Sequence, residues 1–250
     1  MLNLNLADRS QLFASLQTIA NITEAQKASL SRLPVRVVSV AEGVEVQHEG
    51  ETPTDACLLL SGLLCSFKIC GDGNRQLLSL HLPGDIPDLQ TLYLDCTDHG
   101  LVAVCPTRVG YIPYEALRDL MAHEPSIAAL LVKRISVDGS IFREWIANIG
   151  RRHALSRMAH LFCEYFVRQR AMGVASDNVV SLPLTQAELG DATGLSAVHV
   201  NRVMQELRRR GLINSRGNHH RVTDWPGLMA VGDFRADYLH LRMPLAQLGL

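Results

Sequence analysis

The stretch from Leu182 to Ser215, LPLTQAELGDATGLSAVHVNRVMQELRRRGLINS, constrains what this chain can fold into more than any other, because start and stop signals follow one another every few residues. Thr185-x-x-Glu188 is a capping box: the threonine oxygen accepts an orphan helix N–H while the glutamate reaches back to the cap. A helix therefore begins there. Leu189 and Ala192 face inward, and Gly194 stops the helix where the backbone needs a conformation costly for any residue with a Cβ. Ser196 can cap a second helix, whose apolar positions Val200, Val203, Met204 and Leu207 fall at helical intervals, leaving His199, Asn201, Arg202 and Arg209 on a polar, basic outer face. Gly211 ends it. Leu212-Ile213, Ser215-Arg216-Gly217-Asn218 and His220-Arg221-Val222 then read as strand, turn and strand, a wing. Two short helices joined by a glycine turn, the second polar outward, make the helix-turn-helix geometry, whose second helix fits a major groove about 12 Å wide. Helical hairpins also serve purely structural ends. Capping box, turn glycine, basic face and wing together point to double-stranded DNA as the partner.

Charge agrees with that placement. The net charge of −1 hides an asymmetry: residues before Gly150 carry 11 basic and 17 acidic side chains, and those from Gly150 onward 13 and 8. An acidic body with a basic module fits nucleic-acid binding, although differently solvated faces produce the same imbalance. With 250 residues and 47% apolar content, two domains can each bury a core. There is no apolar run long enough to span a bilayer, and Met1 to Ser10 lacks the basic-then-apolar layout of a secretory leader, so a cytoplasmic protein without a membrane partner is expected. Cys57, Cys65, Cys70, Cys96, Cys105 and Cys163 lie far apart, without the paired spacing of a zinc or disulfide framework, and read as reduced thiols.

Upstream, Asp8 to Leu33 has helical spacing, with Leu12, Leu16, Ile19 and Ile22 on one stripe and a second capping box at Thr23-x-x-Gln26. From Val35 to about Pro113 the texture becomes short β-rich runs punctuated by glycines, which predicts an antiparallel roll or barrel. Gly71-Asp72-Gly73-Asn74 is a hairpin turn between Leu63–Ile69 and Gln76–Leu82. Pro125 to Gly150 is helical and carries two apolar stripes, one through Leu131, Ile135, Phe142, Trp145 and Ile149, the other through Ile127, Leu130, Val137 and Ile141. With Asp138 the first stripe has the 4-3 spacing of a coiled-coil seam and suggests a homodimer; a helix sandwiched inside one monomer is the other reading. A helix over His153–Gln169 follows, and the residues after Trp225 are helical in texture without an assignable role.

TQAELGDATGLSAVHVNRVMQELRRRGLI is similar to the DNA-binding segment of the cyclic AMP receptor protein and fumarate-nitrate regulator (Crp/Fnr) family, matching helix, turn, helix and wing entry without gaps. LLLSGLL, the hairpin GDGNRQ and LPGD resemble that family's sensory β-roll, and Pro125–Gly150 falls where it places its dimerisation helix. The resemblance implies an α+β protein: a cyclic-nucleotide-binding-like β-roll with entry helices over 1–124, a long dimerisation helix over 125–150, and a winged helix-turn-helix with a helical tail over 151–250. It implies a transcription regulator bound as a homodimer to a palindromic site, with RNA polymerase as a further partner it can engage. Carried over by position, Thr185 and Gln186 would hold the DNA backbone, while Ser196, Ala197, Val198, Asn201 and Arg202 would face bases or nearby phosphates. An arginine such as Arg202 can bond both guanine acceptors, whereas Val198 stands where the family usually has glutamate and can touch a thymine methyl but not accept from cytosine. His199 either bonds DNA or stays solvated, and Arg208, Arg209 and Arg210 either grip phosphates or form a solvated helix end favoured by the dipole.

The sensory half departs from the family's nucleotide-binding pattern, a Gly-Glu pair followed by Arg-Ser or Arg-Thr. Pro83-Gly84-Asp85-Ile86-Pro87-Asp88 and Asp95-Cys96-Thr97-Asp98-His99 offer acids where a phosphate needs a cation, so cyclic AMP is not the expected effector. Scattered cysteines give no iron–sulfur pattern. A haem on His48, His81, His99 or His123, another small molecule, or no effector at all stay open. There is no H-x-H or H-E-x-x-H spacing and no phosphate-cradling glycine loop, so neither a metal site nor an enzyme is expected. A winged helix used only for protein contacts is the remaining alternative.

Overall fold

A computed structural model describes residues 5–174 and 178–250; residues 1–4, part of the opening stretch read for a leader, and residues 175–177 lie outside the described residues. The fold divides into two compact units, Met1–Lys68 with Leu80–Gly139, and Ile69–Ser79 with Ser140–Leu250.

In the first unit, helix α1 (Leu6–Ile19) starts at Asn5, whose side chain accepts from the Asp8 N–H at 2.8 Å, and α2 (Glu24–Leu30) starts at the Thr23 capping box, both halves of which form. Leu12, Leu16 and Ile19 are buried, as their spacing predicts. Strands β1 (Arg36–Val40), β2 (Glu45–Gln47), β3 (Asp55–Ser61), β4 (Leu64–Ile69), β5 (Arg75–His81), β6 (Gly100–Ala103) and β7 (Thr107–Pro113) make two sheets, ordered β1-β7-β3 and β2-β6-β4-β5. Both β1 and β3 pair antiparallel to β7. The run Ala56–Leu60 is apolar without alternation because both of its faces are covered. Cys57 and Leu59 join Leu64, Leu101, Ala103 and Val109 between the sheets, while Ala56, Leu58 and Leu60 pack with Leu12, Leu16, Leu130 and Leu131. The β4–β5 turn closes at Gly73, whose φ of +83° is the left-handed region that glycine enters freely.

Two elements lie outside the sequence reading. Helix α3 (Tyr114–His123) begins at Pro113 without a capping side chain, and β8 (Val179–Ser181) pairs antiparallel with a strand of the wing. Helix α4 runs Pro125–Arg151 as one element. Its outward seam is rotated by one residue from the sequence reading. Leu131 (1% exposed) lies in the core of the first unit and Trp145 (5%) is buried, its Nε1 donating to both Glu164 oxygens at 3.0 and 3.2 Å. Leu131 is thus used inside its own chain and is withdrawn from the candidate dimer contact, while Trp145 is spent mostly inside it and shows only an edge. Ile135, Phe142 and Ile149 remain partly open, flanked by Val132 (49%), Gly139 and Ile146 (72%). The series 132, 135, 139, 142, 146, 149 keeps the 3-4 spacing of a seam without placing Asp138 in it.

The second unit is built on α5 (Ala154–Ala171), which buries Met158, Leu161, Phe162 and Phe166, with Leu155 only half-buried. Around it stand α6 (Gln186–Thr193), α7 (Ala197–Arg209), the sheet β8-β10-β9 with β9 (Ile213–Arg216) and β10 (His219–Val222), and α8 (Trp225–Gly232). The segment after α8 has a role: Phe234 and Leu239 are buried, and Tyr238 donates to Glu164 Oε2 at 2.8 Å. Glu164 is itself buried, which pushes its carboxyl above the usual range. His160, stacked on Tyr238 and edge-on to Phe234, is held down at about 4 by burial. In the hairpin tip Arg75 Nε donates to Asp191 Oδ2 at 2.9 Å, and Gln76 Nε2 donates to the Asp191 carbonyl at 2.7 Å.

Candidate nucleic-acid interface

Helix α6 starts as the sequence dictates. Thr185 Oγ1 accepts from the Glu188 N–H at 3.2 Å, and Glu188 Oε2 accepts from the Thr185 N–H at 2.8 Å. It ends at Gly194 in the left-handed region, φ +65° and ψ 37°. The Leu195 N–H then donates to the Gly190 carbonyl at 3.1 Å, and a Cβ on Gly190 would overlap the Leu195 carbonyl oxygen. The close approach of turn to helix requires glycine there, a requirement that capping and spacing signals do not announce. Ser196 Oγ accepts from the His199 N–H at 3.3 Å and starts α7, which buries Val200, Val203, Met204 and Leu207.

The opposite side of α7 is open. Ser196, Ala197, Val198 (64%), His199 and Arg202 are exposed, as are Thr185 and Gln186 at the head of α6, so most of the predicted contact residues share one surface. Asn201 is half-buried and its amide donates to Gln186 Oε1 at 3.4 Å, linking the two helices. Among the described residues Arg202 has no hydrogen bond or ion pair, which leaves its guanidinium available to bases. Val198, His199, Arg202 and Glu206 line a cleft of about 480 Å³ against His153, Ala154 and Leu155.

Arg209 requires a correction. Its Nε and NH2 donate to Glu206 Oε2 and Oε1, each at 2.7 Å, and Arg210 Nε donates to Glu206 Oε1 at 2.7 Å. These two partners hold the Glu206 carboxyl down at about 2. Arg209 therefore shares its charge with Glu206 and keeps only NH1 without a bond among the described residues, which makes it a weaker phosphate contact than a free arginine. In the wing, Gly217 turns the chain at φ +58°, exposing Arg216, Asn218 and His219. His220 instead points inward, bonded to Ser215 Oγ at 2.9 Å and held down at about 4 by burial, with Arg208 adding to the effect.

In the loops of the first unit the acids are mostly structural. Asp85 accepts from Ser15 Oγ at 2.8 Å and from the Leu82 N–H at 2.9 Å. Asp88 accepts from the Cys57 N–H at 2.9 Å, and burial pushes its carboxyl up to about 7. Asp98 binds His99 Nδ1 at 2.7 Å. Among the described residues no group of three or more His, Cys, Asp or Glu is arranged to hold a metal, and no helix is long and apolar enough to cross a membrane.

Residues 37–124 match the cyclic nucleotide-binding domain and residues 156–231 the Crp-like helix-turn-helix domain. The transcriptional activator protein FnrA of Stutzerimonas stutzeri is 25% identical over 190 residues, covering 76% of this chain and 78% of that protein. The transcriptional activator protein FnrL of Cereibacter sphaeroides is 28% identical over 198 residues, with the same shares of each. The fold is that of FixK2 from Bradyrhizobium japonicum, with a TM-score of 0.72 and 22% identity over 82% of this chain and 100% of that one. A CRP/FNR-family transcriptional regulator from Thermus thermophilus gives 0.61 and 21% over 80% and 100%. With a Crp-like helix-turn-helix following a cyclic nucleotide-binding domain in one chain, and Fnr-type activators aligned to about three quarters of it, the protein belongs to the Crp/Fnr family of transcription regulators.

Proposed function

We propose that this regulator binds a palindromic DNA site as a homodimer, laying α7 in the major groove, and that it answers to an effector other than a cyclic nucleotide, or to none. The observation carrying the DNA reading is the unpaired Arg202 on an exposed face with Ala197, Val198 and His199. Arg202 would bond guanine, Val198 would touch a thymine methyl, and Thr185, Gln186 and Ser196 would meet phosphates. The homodimer reading is supported by the 3-4 seam on α4 and by an apolar groove of about 470 Å³ beside it, lined by Leu77, Leu78, Phe142, Ile146, Ile149 and the remaining exposed edge of Trp145, which a second copy would cover. Against a cyclic nucleotide stands the loop chemistry: Asp85, Asp88 and Asp98 are carboxyls, and a phosphate diester needs donors or cations. A DNA target would have the protein act in the cytoplasm, and contact with RNA polymerase would be its route to activation.

Selection of bound genomic fragments by the purified protein tests this directly. A palindromic consensus should emerge, with half-site centres about 34–36 Å apart. On the best fragment Arg202→Ala should weaken specific binding about 5- to 150-fold while leaving binding to unrelated DNA little changed. Equal loss on every sequence would move Arg202 to the backbone, and absence of any enriched sequence would refute the reading.

A further inference from the structure

Arg157 occupies the first turn of α5, yet its side chain serves neither that helix nor a carboxylate. Its Nε donates to the Arg152 carbonyl at 2.8 Å, where α4 has just ended, and its NH1 donates to the Thr193 carbonyl at 3.0 Å, the last residue of α6. Asn148 Nδ2, from the last turns of α4, donates to the Arg157 carbonyl at 3.3 Å. One guanidinium thus bridges the C-terminal ends of two helices. Carbonyls in those positions have no partner within their own helix and carry the negative end of its dipole, so a cation with two donors in a fixed plane suits them jointly. The helix-turn-helix turn closes on the same place: a Cβ at Gly194 would lie 3.5 Å from Arg157 NH1 and 3.7 Å from Ile149 Cγ2, a residue of the outward seam. Among the described residues no carboxylate pairs with Arg157, so nothing competes for the fork.

We propose that Arg157 is a positioning residue for DNA reading: by tying the end of α4 to the end of α6, it fixes the orientation of α7 relative to the helix through which two copies meet, and so selects the half-site spacing. This inference rests on the palindromic-homodimer reading. The physical ground is a division of labour. Contacts between α7 and bases involve Arg202 and its neighbours and are untouched by Arg157, whereas the separation of two recognition helices depends on every link between the dimer helix and α7. Within the second unit, α6 is joined rigidly to α7 through Gly190 and Leu195, and Arg157 supplies a charged link from α4 to α6. One base pair of added spacing turns a half-site by about 34–36° around the duplex, so a small loosening at the bridge changes which spacing is accepted.

The experiment compares wild type, Arg157→Met and Arg157→Lys on the selected palindrome, on versions with one central base pair added or removed, and on a single half-site, with thermal unfolding as the check on folding. Wild type should prefer the native spacing. Arg157→Met keeps the stem but no donors, so it should lose about tenfold on the native spacing, the equivalent of one charge-assisted hydrogen bond, with little change on the altered spacings or the half-site. Arg157→Lys, which can serve one carbonyl but not both, should fall between, and carries the comparison if the methionine variant unfolds. Equal weakening on all spacings, or an unchanged ranking, would overturn the inference and leave Arg157 a stabilising residue only. Wild type indifferent to spacing would instead overturn the palindromic-dimer reading, and this inference with it.

Discussion

Replacing Ile146 by glutamate separates the seam that the structure presents from the one the sequence suggests. Ile146 is 72% exposed in the single chain, while its neighbour Trp145 is 5% exposed and bonded to Glu164. Complete burial of an isoleucine contributes about 1.5–3 kcal/mol, so the exposed part leaves about 1–2 kcal/mol per copy, or about 2–4 kcal/mol per symmetric dimer, to be gained against a partner. Losing that much weakens the dimer about 30- to 1000-fold, and two facing carboxylates push in the same direction. Because the side chain is exposed before association, folding of the single chain should change by no more than about 0.5 kcal/mol. Sedimentation velocity over a concentration series reads the first effect, and circular dichroism of the dissociated variant the second. Trp145→Ala is the control. It should cost the second unit about 3–5 kcal/mol by opening a cavity and orphaning part of the Glu164 shell, rather than dissociate folded chains. If Ile146→Glu associates like wild type while Trp145→Ala yields folded monomers, the seam runs through Leu131 and Trp145 and the reasoning from burial fails.

Gly190→Ala should reduce DNA affinity at least tenfold and lower the melting temperature by about 2–4 °C: overpacking against the Leu195 carbonyl costs about 1–3 kcal/mol, which outweighs the roughly 1 kcal/mol gained in helix propensity. A variant that melts higher and binds equally would show that the turn tolerates a Cβ. Asp88 gives the fold a pH dependence, because an acid whose pKa is raised on folding, here to about 7, keeps its proton in the native state longer than in the unfolded one. Stability should therefore fall as pH rises from about 4 to about 7, and Asp88→Asn should flatten that slope and gain on the order of 4 kcal/mol at pH 8. Urea unfolding across that range checks it, and parallel slopes in both proteins would assign the dependence to other groups.

The helix-turn-helix is legible because its determinants are local: Thr185 with Glu188, Gly194 and Ser196 act within a few residues, and each forms as the sequence spells it. The outward face of α4 is not legible in the same way. A helix apolar around most of its girth has several stripes of suitable period, and only packing against the rest of its own chain reveals that Leu131 and most of Trp145 are already taken while Val132 and Ile146 are free. Helix α3 escapes notice because Pro113 supplies no capping oxygen, and β8 because three residues become a strand only beside β10. Arg209 looks wholly available from its place at the end of a basic helix, whereas Glu206, three residues back on the same face, engages its Nε and NH2. Asp85 and Asp88 look like surface acids in the sequence, but each satisfies a buried backbone N–H that only the folded loops bring to it.

The bond between Tyr238 and Glu164 has a consequence for the newly made chain. Its two ends are 74 residues apart, so at ordinary elongation rates Glu164 leaves the ribosome about 4–15 s before the hydroxyl that completes its shell. Throughout that interval α5 can be helical and Trp145 can dock, yet the carboxyl at their junction has only the Trp145 Nε1 and the Arg168 guanidinium beside it and is short of its hydroxyl donor, which makes it costlier to bury. Closure of the second unit therefore waits on synthesis of the residues beyond the wing, while the first unit, ending at Gly139, has no such delay.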